Sequence, residues 1–310
     1  MNNNRWNRRQ VLSAGALLTT LPAFGFAADA SAAQADTMLT KVIPSSGEKL
    51  PVIGLGTYNV FDVASSPAEI ALKSDIVARL TGHGGRVIDT SPMYRRSEKV
   101  LGDVIDASDD RDKLFLATKV WTDGRAPGIA QMRRSATLMN TDVIDLMQVH
   151  NLRDTALHMA SIREMQQEGF IRYNGLTHYT ASSHSALEKA MREFKPDFIQ
   201  INYSLGEREA DARVLPLAQE LGIAVLINRP FLTGRLFGAV SGKSVPDWAQ
   251  SFAASWGQFF LKFIVSHPAV TVAIPATSKV HHMIDNMMAG RGKLPDVATR
   301  ERMIHYFSSL

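Results

Sequence analysis

No cysteine occurs anywhere in the 310-residue chain. That excludes a disulfide framework, a thiolate nucleophile, a Cys-ligated metal and lipid attachment at a cysteine. Surplus charge is also scarce: 34 Lys and Arg stand against 30 Asp and Glu, a net of +4. Removing residues 1–33 takes away three arginines and one aspartate and leaves +2. So small a surplus argues against a nucleic-acid surface. No Gly-x-Gly-x-x-Gly follows an apolar run and opens a helix, so a doubly wound dinucleotide fold lacks its fingerprint. No apolar stretch runs uninterrupted for the ~20 residues of a membrane span. No Gly/Ser/Pro-rich linker divides the chain. What is present is 45% hydrophobic residue content, enough for one large core.

The opening, MNNNRWNRRQVLSAGALLTTLPAFGFAADASAA, has the layout of an export signal. A polar start carries Arg8-Arg9, a weakly apolar stretch runs from Val11 to about Ala27, and several A-x-A sites follow. NRRQVLS is similar to a twin-arginine signal, whose machinery exports folded, cofactor-loaded proteins. The expectation is a signal peptide over 1–33, a single domain over 34–310, and a periplasmic protein with no stable membrane insertion after processing. The alternative is anchoring at the inner membrane by an uncleaved signal.

From residue 50 onward, short β-branched apolar runs alternate with stretches of helical spacing. Eight such runs recur: 52–58, 86–91, 114–120, 143–150, 172–179, 198–204, 224–230 and 270–277. Eight strand–helix pairs predict an α/β fold, a (β/α)8 TIM barrel; an open doubly wound sheet is the runner-up. TKVIPSSGEKLPVIG predicts an N-terminal hairpin around Ser46-Gly47 that caps the barrel floor. Ser65-Ser66-Pro67 and Ser182-Ser183 read as helix starts. A helix is expected from Trp248 through His267. The loops after the fourth and seventh barrel strands read as short, which predicts an open site.

Chemistry in such a barrel belongs at the C-terminal ends of the strands. Asp89 ends the second apolar run, Lys119 the third and His150 the fourth, and Tyr94 lies in the loop after Asp89. A lysine near a phenol favours the phenolate and lowers its pKa from ~10. A carboxylate beside that lysine fixes it and limits the cost of burying it. Such a tyrosine is a general acid or base, and a neighbouring histidine can hydrogen-bond a substrate oxygen. Tyr58, Val60, Phe61, Trp121 and Asn151, placed after the first, third and fourth strands, are candidate pocket residues.

The chain from about residue 38 to 290 resembles the aldo-keto reductase family. The resemblance rests on GLGTY (54–58), the Asp–Tyr pair of VIDTSPMY, ATK (117–119), the His of QVHN (148–151), GLTHY (175–179), the Gln of IQINYS (199–204) and IPATSKVHHMIDN (274–286). It implies reduction of a small-molecule aldehyde or ketone, with Asp89, Tyr94, Lys119 and His150 as the catalytic four and Tyr94 as proton donor. It implies NADPH, rather than NADH, lying across the barrel mouth against Gly56, Thr57, Thr177, His178, Gln200, Asn228, Arg229, Ser278, Lys279 and Asn286. Two departures stand out. Asn228-Arg229-Pro230 replaces a Tyr-Ser-Pro whose tyrosine stacks on the nicotinamide, and His178 replaces an asparagine. Some members of the family serve as regulatory subunits, so an exported cofactor-binding sensor with little turnover is the alternative expectation. No metal site is expected.

Overall fold

In a computed structural model, residues 37–108 and 111–310 are described. The expected signal peptide and twin-arginine motif, at 1–33, lie outside the described residues. The fold opens with a two-stranded antiparallel hairpin, β1 (Thr40–Val42) and β2 (Lys49–Pro51). Gly47 takes a φ of 77° in its turn, a region open to glycine at little steric cost.

The barrel then alternates strand and helix. Its first half runs β3 (Leu55–Gly56), α1 (Pro67–Gly82), β4 (Val87–Asp89), α2 (Ser97–Asp106), β5 (Phe115–Val120), α3 (Arg125–Leu138), β6 (Ile144–His150) and α4 (Thr155–Gln167). Its second half runs β7 (Ile171–Thr177), α5 (His184–Phe194), β8 (Phe198–Asn202), α6 (Val214–Glu220), β9 (Ala224–Asn228), α7 (Arg235–Ala239), α8 (Trp256–Val265), β10 (Val272–Ala273) and α9 (Val280–Met288). Helix α10 (Val297–Ser308) packs outside. Strands β3 to β10 form one parallel eight-stranded sheet in sequence order. Parallel bridges from Ile53 to Ala273 and from Gly56 to Ala276 join its two edges, so the (β/α)8 barrel is closed.

Two apolar clusters follow from this layering. The larger fills the space between the sheet and its helices. The smaller lies inside the ring, where Val87, Phe115, Leu146, Phe198, Leu226 and Val272 meet Ile43 and Leu50 from the hairpin. The hairpin thus plugs the barrel floor, as its turn signal predicts. Burying Ile43 and Leu50 contributes about 1.5–3 kcal/mol each. Glu48, beside the same turn, ion-pairs Arg86 at 2.9 Å and Arg172 at 2.5 Å, which ties the plug to the rim.

Helix starts divide according to their caps. Ser66 caps α1 by accepting the Glu69 N–H at 3.3 Å, with Pro67 in its first position. Ser183 precedes α5 but makes no capping bond; its hydroxyl turns to Thr180 and His178. The helix expected from Trp248 begins only at Trp256. Ser255 accepts the Gln258 N–H at 3.0 Å, and Gln258 Oε1 accepts the Ala254 N–H at 3.0 Å, a reciprocal pair that differs from a capping box by one residue and fixes the start there. The connection after β9, expected to be short, therefore runs from 229 to 255. It contains α7 and two 3-10 turns, Leu232–Gly234 and Asp247–Ala249, and walls one side of the barrel mouth.

Candidate active site

Parallel register carries the chemistry to one end. Asp89 is the last residue of β4, Lys119 the penultimate residue of β5, and His150 the last of β6. Lys119 is fully buried, and its Nζ donates to Asp89 Oδ2 at 2.7 Å and to the Thr90 carbonyl at 2.6 Å. The same Nζ sits 5.0 Å from the centroid of the Tyr94 ring, and a hydrogen bond to that phenol stabilises its anion. Tyr94 is placed by a 3-10 turn, Pro92–Tyr94, capped by Ser91. Its ring meets His150 edge-on at 6.1 Å and Tyr58 at 5.0 Å. The three residues singled out at strand ends and the tyrosine in the loop after the first of them thus share one site.

Electrostatics give Lys119, Tyr94 and His150 definite proton states. Burial disfavours charge on Lys119, but Asp89 and Tyr94 together more than offset it, and its pKa stands above the ordinary lysine value. Lys119 is an ammonium. Burial, opposed by Lys119 and reinforced by Asp89, pushes the Tyr94 phenol above its usual value. The downward pull of the lysine is therefore present, but desolvation wins, and Tyr94 holds its proton at neutral pH. Burial, together with Lys119 and His178, lowers His150 to about 3, so its ring is neutral.

Asp89 is more heavily held than the sequence indicates. Beyond Lys119, its Oδ1 accepts from Gln148 Nε2 at 3.1 Å and Gln200 Nε2 at 2.8 Å. Gln200, read as a cofactor residue, spends its amide N–H on Asp89 and its carbonyl on Asn228 Nδ2 at 3.3 Å. Gln148 was not singled out. Its place two residues before His150 on β6, hence on the same side of the strand, was the signal that could have found it.

The site opens into a cavity of about 980 Å³ across the barrel mouth. Of the residues expected there, Gly56, Thr57, Tyr58, Asn151, Thr177, Gln200, Asn228, Arg229 and Asn286 line it with Asp89, Tyr94 and His150. Ser278 and Lys279 are exposed and lie outside the lining, where Thr277, His282 and Asp285 stand instead. His178 turns inward on its own loop: Nδ1 accepts the Tyr179 N–H at 3.0 Å and Nε2 pairs with Ser183 at 3.0 Å. Trp121 stacks under Arg153 at 5.3 Å and approaches His150 at 6.2 Å without lining the cavity. Val60 lines it, whereas Phe61 is fully buried in the core beneath. The wall missed in the sequence adds Phe231, Phe237, Ser255, Trp256 and Gly257.

The donor set suits a long polar ligand. Thr57 Oγ1, Asn228 Oδ1 and Arg229 Nε are buried and have no partner among the described residues, and all three residues line the cavity. Two glycines let backbone come close: a Cβ at Gly56 would lie 2.8 Å from the Ile274 carbonyl, and one at Gly257 would lie 2.9 Å from Asp285 Oδ2. Asp285 is itself fixed by Ser255 at 2.6 Å and Gln258 at 2.7 Å.

The closed parallel barrel thus gathers an ammonium, a protonated phenol and a neutral imidazole at its C-terminal mouth. Residues 52–300 match the model of the aldo/keto reductase family, and the chain belongs to that family. It is 30% identical over 260 residues to the methylglyoxal reductase YeaE of Escherichia coli, covering 80% of this chain and 89% of that one. To the glyoxal reductase of Bacillus subtilis it is 25% identical over 250 residues, covering 78% and 83%. The structure superposes on a Klebsiella pneumoniae aldo-keto reductase in complex with NADPH with a TM-score of 0.74 and 25% identity, covering 87% of this chain and 96% of that one.

Proposed function

We propose that the protein is an NADPH-dependent carbonyl reductase, converting an aldehyde or ketone to an alcohol with Tyr94 as proton donor. The observation that carries the reading is the fully buried Lys119 ammonium set between Asp89 and the Tyr94 ring. When bound, a reduced nicotinamide nucleotide would supply the hydride. Thr57, Asn228, Arg229, Thr277 and Asn286 are the lining residues that would hold it, with Gly56 and Gly257 allowing close approach. Tyr94 gives its proton to the carbonyl oxygen, and Lys119 stabilises the phenolate left behind. Asp89, steadied by Gln148 and Gln200, keeps Lys119 in place. Neutral His150 hydrogen-bonds the same oxygen and orients it.

The named activities of the similar reductases support a short α-oxoaldehyde such as methylglyoxal as substrate. The test is Tyr94→Phe, assayed by NADPH oxidation over a panel from methylglyoxal to aromatic aldehydes. A fall in kcat of about 10²–10⁴-fold is expected; undiminished turnover would falsify the assignment. The Arg8-Arg9 leader and its A-x-A sites support a periplasmic location for the mature enzyme. Mass spectrometry of periplasmic protein should then find an N-terminus near residues 29–34, and an intact leader overturns this.

A further inference from the structure

The geometry points to Ser91 as the residue that fixes the tautomer of His150, and so makes its cavity-facing nitrogen a donor. This deepens the reductase reading and rests on it for its consequence, though not for its first test. Ser91 is fully buried two residues after Asp89, where the chain leaves β4. Its Oγ lies 3.1 Å from His150 Nδ1 and accepts the Met93 N–H at 3.2 Å. No other partner for that hydroxyl occurs among the described residues. His150 is neutral, so one ring nitrogen carries a proton and the other does not.

Two arrangements satisfy the Ser91–Nδ1 contact. In the first, Nδ1–H donates to Ser91 Oγ. The serine oxygen then accepts twice, and its own proton is buried with nothing to receive it. In the second, Ser91 O–H donates to a bare Nδ1 while Oγ accepts from Met93. Every buried group is then paired, and the imidazole proton sits on Nε2. Leaving a buried donor unpaired disfavours the first arrangement by about tenfold or more. Nε2 pairs with nothing among the described residues, and the ring lines the cavity. His150 therefore meets a carbonyl oxygen as an N–H donor and not as a lone pair that would repel it. Ser91 is a positioning residue: it acts on the substrate through His150.

Ser91 also caps the turn that presents Tyr94, so lost activity alone would not separate the two roles. The decisive readout is the nitrogen NMR spectrum of the His150 ring in the intact free protein. The wild-type protein should show a protonated Nε2 and an unprotonated Nδ1. Ser91→Ala should shift the ring toward a mixture of tautomers, and kcat for carbonyl reduction should fall about three- to tenfold with little change in KM. Ser91→Thr, which keeps the hydroxyl, should restore both. A wild-type ring protonated at Nδ1 overturns the proposal whether or not the protein reduces carbonyls. So does a Ser91→Ala variant with reduced kcat and an unchanged tautomer, because that is the signature of the loosened turn alone. An absence of carbonyl turnover with an Nε2–H ring would instead count against the reductase reading.

Discussion

Removing the charge on either side of the Asp89–Lys119 pair should destabilise the protein more than removing both. Both groups are almost completely out of water, 2.7 Å apart. Taking one partner from a buried pair leaves an uncompensated charge and costs about 3–5 kcal/mol. In Lys119→Met, Asp89 keeps two amide donors, each worth about 1 kcal/mol, which reduces the net loss to roughly 1–3 kcal/mol. In Asp89→Asn, the ammonium keeps the Thr90 carbonyl but loses its counter-charge, so the loss stays near the full 3–5 kcal/mol. The double variant holds no buried charge at this point and should lose only about 1–2 kcal/mol, a coupling of at least about 2 kcal/mol in the cycle. In thermal melts each kcal/mol moves Tm by about 2–4 °C for a domain of this size, so Asp89→Asn should melt well below the double variant and Lys119→Met by a smaller margin. Carbonyl reduction should be poor in Lys119→Met and the double variant, which lack the cation behind Tyr94, and lowered in Asp89→Asn, whose lysine has lost the carboxylate that holds it. Additive losses in the double variant would refute the pairing argument. Restored turnover in it would refute the role given to Lys119.

Three further outcomes follow from the site and the core. Since His150 is neutral above about pH 3 and the phenol of Tyr94 is raised, kcat at saturating cofactor should be flat from about pH 5 to about pH 9; a descending limb near neutrality would contradict those proton states. Gly56→Ala would press a Cβ to 2.8 Å from the Ile274 carbonyl, and should cost about 1–3 kcal/mol in melts and weaken NADPH binding by fluorescence titration; an unchanged Tm and affinity would show that the strand can yield. Lys262, buried against the Arg291 and Lys293 carbonyls, has its pKa lowered by burial to about 8, against about 10.4 unfolded. Between those values the unfolded chain binds more protons, so stability should rise with pH from about 8 toward 10, by up to about 3 kcal/mol from this group. Lys262→Met should flatten part of that rise in urea titrations, and an unaltered slope would reject the assignment.

The convergence of Asp89, Tyr94, Lys119 and His150 was legible because three of them end apolar strands, where burial and position coincide, and the fourth follows within one short loop. The barrel was legible for a similar reason: each buried parallel strand is a compact apolar run between helical stripes. What escaped reading was structure without period. The stretch 229–255 is built from 3-10 turns and a short helix, which leave no 3.6-residue pattern, and its real punctuation was the Ser255-x-x-Gln258 pair inside an apolar run. Lys279 stood out by its charge, yet the chain turns it to solvent and offers Thr277 and His282 to the cavity. His178 filled a family position, but its loop captures both ring nitrogens. Ser91 was invisible for the opposite reason. A serine after a strand reads as a turn former, and only its distance to Nδ1 gives it a second task.

The seam between β3 and β10 has a bearing on how the protein is made. Ile53 and Gly56 meet Ala273 and Ala276, so the first barrel strand finds its second neighbour only after more than two hundred further residues have been made. The hairpin is tied to the same late partners, with Leu39 donating to the Gly290 carbonyl and Lys41 to those of His267 and Val270. A nascent chain on the ribosome can form helices and pair early strands, but the ring stays cut, with two strand edges unpaired. Closure must wait until residues 272–290 have been made, and the interval before it is when the chain is most open to aggregation or capture by chaperones.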